Sequence, residues 1–395
     1  VYLITLIVSF FIGLLYYNSS SGVDFGKYIE TVNFLLGDSE FVYDPQGSLY
    51  FSLIAFTLNT FIDSIGPFNI NVLFNEVVQY VNLLLYLVGS IGIYKLFCLK
   101  GFPKRNVLIA LIILNFLPTG FYLRLTMKPE ILAFALFPWL LINLDQYFKT
   151  NHKFYLIASS ICLSLITSQK ASILGMVFVS LVVIYWKERK KYSKILKFLL
   201  VSSVFIVLLL FENNNLFGIN LFSQPNTVDL SLEQKWNHTA NLSFFYNVNF
   251  YNLAFNPFKH LHSDSLIGIL LLDSLGDYFG FYWQHNEVGN FFYRDVVRFT
   301  ENFLIQNYLS EYISIIFTLA FYAVCFYYLS KKIDEKYYLL LPLAGLSILI
   351  LNSLGIPVKN FDPTTGDLFK THYYSFLFIF TFVYVLILLQ DNKKF

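Results

Sequence analysis

Apolar runs recur along the whole of this chain, and clusters of lysine and arginine fill every second gap between them. The runs lie at about 1–17, 74–98, 106–123, 129–148, 154–168, 171–186, 198–211, 309–329, 337–356 and 372–389. Each approaches the roughly 20 residues that cross about 30 Å of hydrocarbon as a helix. Lipid offers no partner to an open backbone, so such runs fold as helices. Apolar residues make up 56% of the chain and charged residues 13%, against about 25% charge in a soluble domain. The sequence therefore predicts an all-α polytopic membrane protein of about ten transmembrane helices.

The cations orient it. Alternate gaps hold Lys95, Lys100, Lys104 and Arg105; Lys149 and Lys153; Lys187 to Lys197; Lys331, Lys332 and Lys336; and Lys393 and Lys394. These are 17 of the 27 Lys and Arg, with only Asp145, Glu188, Asp334, Glu335 and Asp391 beside them. Excess cations mark the cytoplasmic side. Both termini are then cytoplasmic, and the protein is expected in the cytoplasmic (inner) membrane with its functional face outward. The net charge of +2 is a near-cancellation between two strongly charged sides and does not point to nucleic acid. Val1 lies inside an apolar run, so a preceding segment is expected, without the basic and small-residue marks of a cleaved signal peptide.

Three regions follow: a transmembrane core over 1–211 containing a first outward loop at 18–73, an outward cap over 212–308, and C-terminal transmembrane helices over 309–395. In the first loop, Tyr28, Val32, Leu35 and Leu36 share one helical face, Gly37 suits a helix end, and 49–62 is a second apolar stretch. Both read as helices lying at the membrane surface. The cap is rich in aromatics and Asn. Its apolar stretch 265–283 is broken by Asp273, Gly276, Asp277 and Gly280 and reads as a partly buried cap.

Asp24 stands where the first run meets water. An acid there is costly unless hydrated, paired or used. It could accept a proton from a hydroxyl, hold a divalent cation, or cap the helix starting near Gly26. Cations also stand on the outward side, against the bias: Arg124 and Lys128 in the short turn before Pro129 and Glu130, Lys170 after Gln169, and Lys370 with His372 before the last run. A membrane-embedded phosphate would give them a common purpose; snorkelling to headgroups is the plainer one. His260, His262 and Asp264 alternate as ligands on a strand would, without a fourth. Cys98, Cys162 and Cys325 are far apart and form no metal or disulfide pattern. Walker, GxGxxG, GxSxG and HExxH motifs do not occur.

Asp24 with Tyr28, the stretch Tyr43 to Tyr50, the turn from Arg124 to Glu130, and Lys370-Thr371-His372-Tyr373 before a late helix together resemble the GT-C superfamily of integral-membrane glycosyltransferases. The resemblance covers most of the chain's topology. It implies a sugar donor on a polyprenyl phosphate and a glycan, lipid or protein acceptor. Asp24 would be the base of an inverting transfer. Arg124, Lys128, Lys170, Lys370 and His372 would bind the lipid phosphate, and Tyr28, Tyr50, Glu130 and Tyr373 the substrate. Family members often carry a second acid after the first; here Phe25 follows Asp24, which favours a single base over a metal-binding pair. Two other readings use the same outward cations: a polysaccharide polymerase or ligase acting on a lipid pyrophosphate, and a transporter of lipid-linked sugars. The transporter predicts mid-span charge or broken helices.

Overall fold

The structure is a computed structural model that describes residues 1–16, 25–37, 47–65, 70–217, 243–257, 262, 265–273, 302–333, 335–353 and 374–391. Every regular element among them is helical. They are α1 (Tyr2–Tyr16), α2 (Phe25–Leu36), α3 (Ser48–Ile65), α4 (Ile70–Leu99), α5 (Lys104–Phe116), α6 (Pro118–Leu125), α7 (Glu130–Thr150), α8 (Lys153–Thr167), α9 (Ala171–Tyr185) and α10 (Tyr192–Phe217). After these come α11 (Ser243–Tyr246), α12 (Phe250–Phe255), α13 (Leu266–Asp273), α14 (Asn302–Leu329), α15 (Leu341–Ser353) and α16 (Ser375–Gln390). Short 3-10 turns, Trp186–Lys191 and Lys336–Leu340, join α9 to α10 and lead into α15.

Local chemistry sets the breaks. Gly101 takes a φ of +84° after α4, and Asn151 takes +57° after α7; glycine and asparagine tolerate this left-handed turn best. α7 opens after Pro129 with Glu130 in its first turn and carries Lys149 in its last, each matching the helix dipole. Leu117 is extended ahead of Pro118, as a residue before proline prefers, and α5 and α6 meet there at 76°.

Four stretches are long and apolar enough to cross a membrane: Glu76–Leu99, Glu130–Thr150, Ile173–Asn213 and Glu311–Leu329. The bent pair α5–α6 makes a fifth if it counts as one span. The Ile173–Asn213 stretch has 41 residues and as a straight helix would extend about 60 Å. Its two ends nevertheless meet. The Gly47 N–H donates to Gln169 O (3.1 Å), just before α9, and the Ser48 N–H donates to Asn213 Oδ1 (3.0 Å), near the end of α10. The stretch therefore folds back at the basic 3-10 turn, and α9 and α10 run in opposite directions.

The two ends of the bundle differ in chemistry. At one, Lys100 pairs with Asp145 (2.7 Å) and Glu335 (3.1 Å), the Tyr185 hydroxyl donates to Asp145 Oδ1 (3.0 Å), and Lys194 Nζ donates to Phe148 O (3.0 Å). Lys100, Asp145, Lys194 and Glu335 all belong to the basic groups that the cation count assigns to the cytoplasm, and Phe148 and Tyr185 lie at the ends of the adjoining apolar runs. At the other lie Ser48, Glu130, Gln169, Lys170 and Asn213. α3 begins at this second end, where the Tyr50 hydroxyl donates to Asn82 Oδ1 (2.9 Å), and leads back to the start of α4. It packs on α2 and α4 and leaves Phe56 exposed on the other side.

α4 and α7 run side by side in the same direction, Tyr86 stacking on Phe134 (5.1 Å). Pro138 has no N–H to give the Phe134 carbonyl, and Gly89 sits against that carbonyl: a Cβ there would come within 2.8 Å of it. α16 is buried on every side, as a helix apolar all round must be. Its Phe380 and Tyr384 pack with Phe97 and Tyr338 at centroid distances of 5.3–5.6 Å.

Burial lowers the Lys100 pKa, but the Asp145 and Glu335 carboxylates outweigh it and hold the ammonium above its ordinary value. A raised value keeps the clamp's contribution intact below the unfolded lysine value of about 10.4, and loses it only as pH climbs through the folded value. Lys100→Ala leaves two half-buried carboxylates facing each other and is expected to cost about 1–3 kcal/mol. Adding Glu335→Gln should return part of that loss, read as the thermal unfolding midpoint in detergent at pH 7.

Candidate functional site

α2 buries Tyr28, Thr31 and Val32 and leaves Glu30 exposed, close to the face expected from its pattern, and Gly37 ends it with a φ of +86°. Tyr28 thereby reaches the turn between α6 and α7. Lys128 Nζ donates to its hydroxyl (3.3 Å) and lies 5.0 Å from its ring centroid. Two residues on, Glu130 Oε1 accepts from Lys170 Nζ at 2.9 Å, tying the start of α7 to the turn before α9. Lys128, Glu130 and Lys170 are only 3%, 1% and 8% exposed. Among the described residues this cluster holds two ammonium groups and one carboxylate. Buried charge of this kind costs several kcal/mol per ion unless paired.

A neutral frame supports it. Asn82 accepts from the Tyr50 hydroxyl and donates through Nδ2 to Thr126 O (2.7 Å), just ahead of Lys128. The Tyr50 N–H donates to Gln169 Oε1 (3.3 Å), next to Lys170. Tyr28 and Tyr50 both pack on Phe51 at 5.2 Å. Tyr28, Tyr50, Lys128, Glu130 and Lys170, scattered over more than 140 positions of sequence, thus come together at one end of the bundle under α2 and α3. In this arrangement Glu130 Oε1 faces Lys170 within the cluster, and Tyr50 faces Asn82 in the frame. Asn82, Gln169 and Asn213 were missed by the sequence reading. The only sign of Asn82 is a polar Gln79–Asn82 pair, three apart, inside an apolar run.

Arg124 is not part of this cluster. Its guanidinium turns into the junction of α1, α4, α5 and α6, where it donates to Ser9 Oγ (2.6 Å), Asn115 O (2.7 Å) and Gly120 O (3.1 Å). It lies between the Tyr86 and Phe121 rings, at 4.9 and 4.8 Å. The two carbonyls flank the break at Pro118, where backbone acceptors lose their helical donors. Arg124 thus satisfies the broken helix and places a cation at the carbonyl end of α5, the favourable end of its dipole.

Asp24, Lys370, His372 and Tyr373 lie outside the described residues, as do His260 and Asp264. In sequence Asp24 directly precedes α2, four residues before Tyr28. Among the described residues no group of three or more His, Cys, Asp or Glu could hold a metal. His262 is buried beside Gly268.

No protein-family model matches this chain, and neither a curated protein nor a solved structure does.

Arg124 bonds acceptors on three separate elements, which the single nitrogen of lysine cannot span. Arg124→Ala is expected to destabilise the protein by about 2–4 kcal/mol, and Arg124→Lys to recover little of it, measured by thermal unfolding in detergent. Gly47 is similarly constrained: a Cβ there would overlap the backbone of Ser168 and Gln169. Gly47→Ala should loosen α3 from the Lys170 turn and raise hydrogen exchange at Ser48 to Tyr50, while exchange around Lys100 stays unchanged.

Proposed function

We propose that this protein transfers a sugar from a polyprenyl-phosphate donor to an acceptor hydroxyl at the outward face of a membrane, through about ten transmembrane helices of GT-C-like arrangement. The observation that carries the reading is the meeting of Lys128 and Lys170 with Glu130 and Tyr28 beneath α2, the helix that follows Asp24 in sequence. The ten-helix count rests on the shorter apolar helices and on the fold-back between α9 and α10, which turns one long stretch into two.

In this reading the Asp24 carboxylate takes the proton of the acceptor hydroxyl. The oxygen attacks the anomeric carbon, the bond from that carbon to the phosphate oxygen breaks with inversion, and the lipid phosphate leaves with the bonding pair. Lys128 and Lys170 offset the charge that grows on the leaving phosphate. A phosphate leaves readily, so one base and a cationic clamp suffice. Glu130 orients Lys170 and partly neutralises it before the donor binds. Lys370 and His372 complete the phosphate clamp, Tyr373 borders the substrate, and Arg124 acts from its own site by holding the turn that carries Lys128. The cap over 212–308 takes the acceptor.

The break between α5 and α6, with a buried Arg124 beside it, favours a second reading, transport of a lipid-linked sugar. The two are separated in proteoliposomes supplied with polyprenyl-phosphate sugars. Glycosyl transfer predicts free polyprenyl phosphate as a product. Asp24→Asn should abolish its formation, and Lys170→Ala should lower kcat/KM for the donor about 10²-fold or more, the range for loss of one transition-state donor. Movement of intact donor across the bilayer without product, unchanged in Asp24→Asn, would replace the transferase reading with the transporter.

A further inference from the structure

Residues 243–257 contain six aromatic residues and no charged one. α11 and α12 are built from them. Phe244 and Leu253 turn inward and are buried, while Tyr246, Phe250, Tyr251 and Phe255 are 72%, 76%, 69% and 62% exposed. The Tyr251 and Phe255 rings pack on one another at 4.9 Å. Four large aromatics so exposed on ten residues of chain are costly in water, at about 25 cal/mol per Å² of apolar surface, unless something covers them.

The segment is held at a defined height. The Tyr312 hydroxyl of α14 donates to Ala254 O (2.7 Å), inside α12. Ser314 donates to Leu272 O of α13 (2.9 Å), and Ser265, at the head of α13, donates to Asn247 O between α11 and α12. The apolar span of α14 is Glu311–Leu329, about 28 Å long at helical rise and so close to the thickness of a hydrocarbon core. Its far end is followed by Lys331 and Lys332, which mark the cytoplasmic side. Tyr312 therefore stands at the outward hydrocarbon boundary, and α12 is fastened there. Below it α14 presents Ile313, Ile316 and Leu319, half exposed or more, as a lipid-facing stripe that leads up to the aromatics.

We propose that α11 and α12 form an interfacial foot, with Tyr246, Phe250, Tyr251 and Phe255 seated among the lipid headgroups of the outer leaflet. The occupant is a lipid surface, because phenyl rings at this depth gain from partial immersion while the tyrosine hydroxyls and the Asn side chains stay in the polar layer. The lack of charge makes the seating independent of headgroup sign. The foot tethers the outward region between α10 and α14 to the bilayer. This inference rests on α14 crossing the membrane and not on sugar transfer.

The test uses the full chain in liposomes, with Cys98, Cys162 and Cys325 replaced by Ala and a polarity-sensitive fluorophore on Phe250→Cys or, as reference, Ile316→Cys. The dye at 250 should lose most of its emission to a nitroxide placed near the lipid headgroup and little to one near the bilayer centre; at 316, about 6 Å deeper along the helix than Tyr312, the nitroxide lower in the acyl chain should quench more. Quenching at 316 without any lipid quenching at 250 overturns the foot. No lipid quenching at either position overturns the membrane placement of α14 itself. In the unaltered cysteine background, a photoreactive phenylalanine analogue at 250 should form adducts with phospholipid. Adducts with an added soluble oligosaccharide in place of lipid would make the patch a sugar platform and overturn the proposal.

Discussion

The buried pair between Lys170 and Glu130 is the contact on which one end of the helical bundle depends. It joins the first turn of α7 to the turn between α8 and α9 at 2.9 Å. A charge in that position cannot stand alone in a bundle this apolar. Around the pair, each polar group is tied to a neighbouring element: Gln169 to Tyr50, Asn82 to Tyr50 and Thr126, Asn213 to Ser48, Lys128 to Tyr28. These bonds hold α2 and α3 over the cluster. The opposite end repeats the device with Lys100, Asp145 and Glu335. Charge thus organises the bundle at its two ends, and between them apolar and aromatic packing does the work.

Arg124 is the exception that clarifies this arrangement. It lies within the bundle, 2% exposed, where it donates to two carbonyls and a hydroxyl and lies against two aromatic faces. A guanidinium can be held this way because its charge is spread over a plane that stacks on rings while its edges donate. The break at Pro118 supplies the carbonyls. Removing either the proline or the arginine would leave the other without its purpose, so the two are one feature of the fold although they sit on different turns.

Much of this was legible in sequence. The helical character of every described element, the amphipathic face of α2 around Tyr28 and Val32, the Gly37 stop, the role of Pro129 and Glu130 at the start of α7, and the pairing of ends through alternate basic loops follow from local patterns of hydropathy and charge. Arg124 was grouped with Lys128 because both occupy one short turn. Four residues apart across the end of a helix and a proline turn, their side chains leave in different directions, and spacing alone cannot show that. α3 is apolar and short, which in sequence reads as a helix at the membrane surface; packing against α2 and α4 buries its Tyr50, Phe51, Ile54 and Leu58 and leaves Leu53, Phe56 and Phe61 exposed on the other side.

Hydropathy and the distribution of lysine by themselves determined a helical chain with stretches long and apolar enough to cross a membrane and with basic residues gathered in alternate gaps, because both are sums over many residues that no single contact can reverse. Only the tertiary structure decided which of Arg124, Lys128 and Lys170 lie together. Lys128 and Lys170 come to the same end of the bundle because Tyr28 holds the first and Glu130 the second, from distant parts of the chain. A buried ion pair selects partners by distance and direction in space, and neither is written in the order of residues.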